Sequence, residues 1–261
     1  MDRRIDEMPR YKLTIEYDGT DFYGWQKQRD VASIQETIEQ AIYKFCGDKT
    51  EVYGAGRTDS GVHATMQVAH VDLSKEWEDY KVRKAVNFHL SKCEYGRAIS
   101  ILDVDLVDDE FHARFSAVKR SYVYKIINRE ARLALDANRL WHVREKLDVD
   151  AMMEAAQHFI GLHDFTSFRA VACQSKSAIK TIDSIDVVHH KPIGNGEELL
   201  FYIEAKSFLH HQVRNIVGTL KAVGTGKLSP NDIPSIFEAR DRREAGATAP
   251  ACGLYLTGVY Y

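Results

Sequence analysis

The apolar residues of this chain switch their period from two to about 3.6 and back several times, and this constrains the fold more than any other feature. Leu13, Ile15 and Tyr17 alternate with Lys12, Thr14, Glu16 and Asp18, which is a strand with one buried face. From Ser33 the spacing lengthens, and Ile34, Ile38, Ala41, Ile42 and Phe45 make a helical stripe. Ser33 and Glu36 read as a capping box, and Gly47 as a left-handed C-terminal cap. A strand with Ala69, Val71 and Leu73 on one face follows, then a helix over 77–90 and a strand over 97–104. The second half repeats this order. A long strand is expected over 114–128. A helix opens at Asp148, with Val149, Met152, Met153, Ala156, Phe159 and Ile160 on one face. Strands at 180–190 and 199–207 follow. A helix over 211–223 turns Val213, Ile216, Val217 and Leu220 inward, with Arg214, Gly218 and Lys221 on its opposite face. Ser229-Pro230 opens the last helix, and a final strand ends at Tyr261. Hairpin-like strands mixed with helices predict an α+β fold with a mixed, mostly antiparallel sheet. The acidic segment before residue 111 suggests two domains, 1–110 and 111–261.

Several classes are excluded at this point. The longest apolar run is the five residues from Leu199 to Ile203, whereas a membrane helix needs about 20. The opening MDRRIDEMPR has no apolar core of the kind a secretory leader carries. Cys46, Cys93, Cys173 and Cys252 are scattered without a CxxC pair. That spacing suits buried thiols in a reducing cytoplasm better than disulfides or a zinc site.

Net charge is −3 with a pI near 6.4, which taken alone disfavours a nucleic-acid partner. Binding depends on local charge instead. DVDLVDDE at 103–110 carries five acids and no base, while 112–132 carries Arg114, Lys119, Arg120, Lys125, Arg129 and Arg132 against Glu130. Lys206, His210, His211, Arg214 and Lys221 form a second basic cluster. Phe115, Tyr122 and Tyr124 interleave with the first run, and stacking plus cations is how unpaired RNA bases are held.

The densest chemical signal is Gly54-Ala55-Gly56-Arg57-Thr58-Asp59-Ser60-Gly61-Val62-His63-Ala64. It fails as a dinucleotide fingerprint, because Asp59 stands where a glycine is needed. It fails as a P-loop, because Val62-His63 follows Gly61. The glycines are expected instead to let the backbone bend and present Asp59, with Arg57 near enough to steer a polyanion or pair with a carboxylate. An aspartate needs no helper base to act as a nucleophile, since its reference pKa is about 3.9. A plain Asx-turn with a surface Asp is the alternative. His210-His211 is a weak metal cue, because adjacent side chains are expected to point apart.

AGRTDSGVHA (55–64) resembles the signature of tRNA pseudouridine synthases of the TruA type, and the similarity runs through most of the chain. YDGTDFYGWQ (17–26), FHARFSA (111–117), Arg120, Tyr122, Tyr124, HDFTSF (163–168), FLHHQVRNIVG (208–218) and TAPACGL (248–254) match in the family order. Ser121 and Val123 depart from it, standing where basic residues are common. The resemblance implies a pseudouridine-synthase fold: two similar α/β halves sharing a central sheet, with the active-site cleft between them. The first half would carry the catalytic loop and the second the base-stacking and RNA-binding residues. It implies isomerisation of uridine to pseudouridine at positions 38, 39 and 40 of the tRNA anticodon stem-loop, by a homodimer without cofactor or metal. Asp59 corresponds to the nucleophile, Tyr122 to the base-stacking tyrosine and Arg214 to the arginine near the carboxylate. Arg57 would hold phosphate or order the loop. A catalytically silent RNA-binding module and an Asp-nucleophile hydrolase are the competing classes.

Overall fold

β1 (Arg10–Tyr17) buries every second side chain, Tyr11, Leu13, Ile15 and Tyr17, as its alternation predicts. The computed structural model describes residues 8–191 and 196–261; residues 1–7, which include most of the segment read above for a leader, lie outside them. The chain divides into two compact units, Met1–Val118 with Leu256–Tyr261, and Lys119–Tyr255.

In the first unit β1 is followed by α1 (Ile34–Cys46), β2 (Tyr53–Gly54), β3 (His63–Asp72), α2 (Asp79–Leu90) and β4 (Ile99–Val107). β1 pairs antiparallel with β3 on one side and β4 on the other, and β2 adds to β3. The caps of α1 are as the sequence predicts. Ser33 Oγ accepts from Glu36 N–H at 3.3 Å, and Gly47, at φ +83°, donates its N–H to Tyr43 O at 2.8 Å. Ile34, Ile38, Ala41 and Ile42 are buried, α1 packs on α2, and α2 packs on β4.

The second unit opens with β5 (Lys119–Asn128), then β6 (Trp141–Val143), α3 (Val149–Gln157), β7 (Gly161–Asp164), β8 (Ile179–Ile182), β9 (Ser184–His190), β10 (Glu197–Ala205), α4 (Gln212–Gly224) and α5 (Asp232–Ala239). β10 pairs antiparallel with β5 and β9, and β6 runs parallel to β5, so the strand set is mixed but mostly antiparallel. β11 (Leu254–Tyr260) takes the chain from the second unit into the first. α3 and α4 approach so closely that a Cβ on Gly224 would lie 2.5 Å from Met152 Sδ. HDFTSF turns out to serve packing. Asp164 Oδ1 accepts from Thr166 N–H and Oγ1–H, while Phe165 and Phe168 are fully buried beside Phe159 and Phe237. Each such ring contributes roughly 1.5–3 kcal/mol by leaving water.

Five expectations shift. The single strand expected over 180–190 is two, β8 and β9, separated at Asp183, with β8 paired to β7 and β9 to β10. β5 starts at Lys119 rather than 114, because His112 Nδ1 accepts from Arg114 N–H and Phe115 N–H and draws residues 113–116 into a turn. The same segment sits with the first unit through Ala113 N–H to His70 Nδ1 and Val118 N–H to Tyr260 O, so the units divide after Val118 rather than after residue 110. Ile160 is exposed, because α3 ends at Gln157 and Gly161 takes φ +99°. The four cysteines are free but only partly buried. Among the described residues no helix is long and apolar enough to cross a membrane.

Candidate active site

The Asp59 loop, residues 55–62, joins β2 to β3, and main-chain and buried side-chain hydrogen bonds hold it throughout. Ala55 N–H donates to Val68 O at 2.7 Å, and Gln67 Nε2 donates to Gly56 O at 2.8 Å. Thr58 Oγ1 and the Tyr17 hydroxyl share a buried hydrogen bond of 2.7 Å, and Trp25 N–H donates to Thr58 O at 3.0 Å. Beyond Asp59 the chain turns, with Val62 N–H to Asp59 O at 3.1 Å and Gly61 at φ +77° in the third position of the turn, where a glycine is favoured. Ser60 Oγ donates to Phe22 O at 3.1 Å. Asp59 is left half-buried and Arg57 exposed.

The bed of this loop is the 17–26 segment. Gly24, at φ +92°, lets its backbone close on Thr58, since a Cβ there would lie 2.6 Å from Thr58 O. Of the three loop glycines expected to bend the chain, Gly61 alone takes a positive φ among the described residues. Gly54 serves packing instead, because a Cβ would fall 2.5 Å from the Trp25 indole. His63 is buried, and its Nδ1 accepts from Gly19 N–H at 3.1 Å. Tyr17, Trp25 and Gln67 are the supporting residues that motif reading alone did not single out.

In the second unit Tyr122 and Tyr124 are both buried on β5, with different neighbours. Tyr124 is fully buried and its hydroxyl donates to Pro250 O at 2.7 Å; burial pushes that hydroxyl's pKa far upward. Tyr122 keeps 8% of its surface and meets Phe208 edge-on at 5.1 Å. Both tyrosines are therefore buried, Tyr122 slightly less completely than Tyr124. Arg120 is buried too, and its Nη1 donates to Lys206 O at 2.6 Å.

Arg214, in the first turn of α4, is held by the segment before β11. Its Nε donates to Ala249 O at 2.8 Å, and Ala249 N–H returns to Arg214 O at 3.1 Å. One turn on, Gly218 permits the close approach read from the sequence, as a Cβ would stand 1.8 Å from Ala247 O. Asn215 Oδ1 accepts from Thr248 Oγ1 at 2.7 Å and from Arg242 Nη2 at 3.0 Å, so Arg242 belongs to the same support. His210 and His211 do not point apart. Their rings lie 4.0 Å from each other, because His211 takes φ 63° at the start of α4.

A family model described as tRNA pseudouridine synthase matches residues 13–116 and 155–261. That match defines the class of the molecule as an isomerase that modifies RNA. The tRNA pseudouridine synthase A of Paramagnetospirillum magneticum is 53% identical over 254 residues, covering 97% of this chain and 96% of that protein. The tRNA pseudouridine synthase A of Brucella ovis is also 53% identical, covering 97% and 98%. Among solved structures, a chain of a Cbf5-Nop10-Gar1 complex is 10% identical with a TM-score of 0.34, covering 94% of this chain and 57% of its own; that likeness is too slight to bear on the fold. The chain belongs to the tRNA pseudouridine synthase family, enzymes that isomerise uridine to pseudouridine.

Proposed function

We propose that this chain converts uridine to pseudouridine at positions 38, 39 and 40 of the tRNA anticodon stem-loop, with Asp59 as the nucleophile. One observation carries this most: the Asp59 loop is pinned by hydrogen bonds on both sides of Asp59 while the residue itself stays half-exposed. A carboxylate held this way is oriented before substrate arrives, which lowers the entropy cost of attack. The reaction breaks the N-glycosidic bond, turns the uracil and rejoins it through C5. Atoms and oxidation state are conserved, so the step needs no oxidant, reductant or co-substrate. The carboxylate serves either route, acting at the sugar or adding to the base ring. Asp59 lies in the first unit, and Tyr122 and Arg214 lie in the second. The target base must leave its stack, at a cost of a few kcal/mol. Tyr122 stacks on the extruded base and returns roughly 1–3 kcal/mol, which requires the now buried ring to be uncovered as RNA binds. Arg214 and Arg57 bind the RNA substrate, Arg57 meeting phosphate or ordering its loop. The working form is a cytoplasmic homodimer.

The test is pseudouridine mapping and mass measurement on tRNA incubated with wild-type protein and with Asp59→Asn. The wild type should convert those uridines at constant tRNA mass. The variant should bind tRNA and keep its melting temperature but lose essentially all turnover. Conversion by Asp59→Asn would remove Asp59 from the chemistry. Binding by the wild type without conversion would identify a silent RNA-binding module, and release of free uracil a hydrolase.

A further inference from the structure

FHARFSA ends in a feature that the reaction outlined above does not use. Phe115 is 77% exposed, the most exposed aromatic ring among the described residues. It stands on a turn with little freedom. His112 Nδ1 accepts from Arg114 N–H at 3.1 Å and Phe115 N–H at 3.4 Å. Ser116 Oγ accepts from His112 N–H at 3.0 Å, and Ser116 N–H donates to His112 O at 2.9 Å. The base of the turn is anchored in the core. Ala113 is fully buried, donates its N–H to His70 Nδ1 at 3.1 Å, and accepts from the Tyr261 hydroxyl at 2.8 Å. One side of the Phe115 ring rests on the His112 imidazole, with centroids 4.4 Å apart. Arg114 holds its guanidinium carbon 5.7 Å from the ring centroid.

We propose that Phe115 is a stacking platform for an unpaired base of the RNA substrate, with Arg114 meeting the adjoining phosphate. This rests on the RNA substrate of the preceding section and extends it to a contact outside the residues assigned there. A large ring kept in water on a rigid turn loses little conformational entropy on binding, so most of its stacking energy reaches the affinity. The cation beside it selects a polyanion over an apolar protein surface. The acidic run just upstream is largely answered within the unit. Lys12 pairs with Asp105 at 2.8 Å, Arg83 with Asp103 at 3.5 Å, and Arg10 lies close enough to Asp109 to feel its charge. Ala113 also packs in one apolar cluster with Ala55, the first residue of the Asp59 loop, so platform and catalytic loop share a rigid support.

The experiment uses the full chain, an unmodified tRNA transcript and two variants, Phe115→Leu and Phe115→Trp. Phe115→Leu keeps an apolar side chain but loses the ring. Its Kd for tRNA and its KM should rise roughly five- to 150-fold, the range that 1–3 kcal/mol per stacked base corresponds to. Its kcat at saturating tRNA should stay within about twofold of wild type, as expected when ground-state binding alone is lost. Phe115→Trp should bind as wild type, and tRNA should quench its added fluorescence. Wild-type affinity in Phe115→Leu, or no quenching in Phe115→Trp, overturns the proposal. Unchanged RNA affinity with a shift from dimer to monomer in sedimentation also overturns it, by assigning the ring to a contact between copies. Affinity is measured without reference to turnover, so a wild type that binds tRNA yet makes no pseudouridine would sink the proposed reaction and leave this inference standing.

Discussion

Gly218→Ala sets two effects of opposite sign against each other. Alanine is better than glycine in a helix interior by about 1 kcal/mol, and Gly218 lies inside α4. The new Cβ, however, would stand 1.8 Å from Ala247 O, and Gly246 already faces Gly218 so closely that its own Cβ would be 2.6 Å from Gly218 O. Backbone stands on both sides, so the 246–249 segment has to retreat by more than an ångström. Four hydrogen bonds depend on its present position: Arg214 Nε to Ala249 O, Ala249 N–H to Arg214 O, Thr248 Oγ1 to Asn215 Oδ1, and Gly246 N–H to Thr219 Oγ1. Loss of two costs about 2 kcal/mol. The overpacking adds about 2 kcal/mol. Less the helix gain, the variant should be destabilised by about 3 kcal/mol, a fall in Tm of roughly 6–12 °C for a chain of this size. Thermal unfolding followed by circular dichroism measures it. Residual turnover should fall further than stability explains, because Arg214 loses the acceptor that orients it. A Gly218→Ala protein with an unchanged or raised Tm would show that helix propensity wins, and that the close approach of the 246–249 segment carries no energetic weight.

His70 predicts a pH dependence of stability. It is 2% exposed, its Nδ1 accepts from Ala113 N–H, and burial, then Arg10, then His112, bring its pKa down to about 4. The unfolded chain therefore takes up a proton near pH 6.5 that the folded chain refuses until about pH 4, so stability falls as pH drops through that window, by about 2 kcal/mol at pH 5. Urea unfolding of wild type and His70→Asn at several pH values should give slopes differing by about one proton there, and parallel curves would refute the neutral-histidine assignment. Tyr124→Phe strands the part-buried Pro250 carbonyl that the hydroxyl now satisfies at 2.7 Å, and should cost about 1 kcal/mol in urea unfolding, whereas a neutral result would mean water reaches that carbonyl. Alkaline difference spectroscopy should find this phenol un-ionised until the protein unfolds, consistent with burial driving its pKa upward.

What could be read early was what neighbouring residues settle among themselves. The α1 stripe, its Ser33 cap and its Gly47 terminus depend on groups within four residues of each other, so their spacing is already a statement of structure. The same holds for the prominence of Asp59, flanked by a turn that Gly61 permits. Gly218 was legible as a small residue on a helix face, though not what would approach it.

The remainder lay in contacts between distant segments. Gly54 is a glycine because Trp25, from the 17–26 segment, lies over it, and no local pattern encodes that. The early part of the expected 114–128 strand became a turn once His112 captured two backbone N–H groups and His70 took a third. Tyr122 and Tyr124 occupy equivalent alternating positions on β5 and both are buried, yet the Tyr124 hydroxyl met the Pro250 carbonyl while the Tyr122 ring met Phe208. Alone, the sequence determined the main helices, the longer strands and the loop that carries Asp59, because periodicity, capping and turn chemistry act over a few residues. Only the tertiary structure decided what the two β5 tyrosines pack against, what cradles the Asp59 loop and how Arg214 is held, because those depend on burial and hydrogen bonds between residues tens of positions apart.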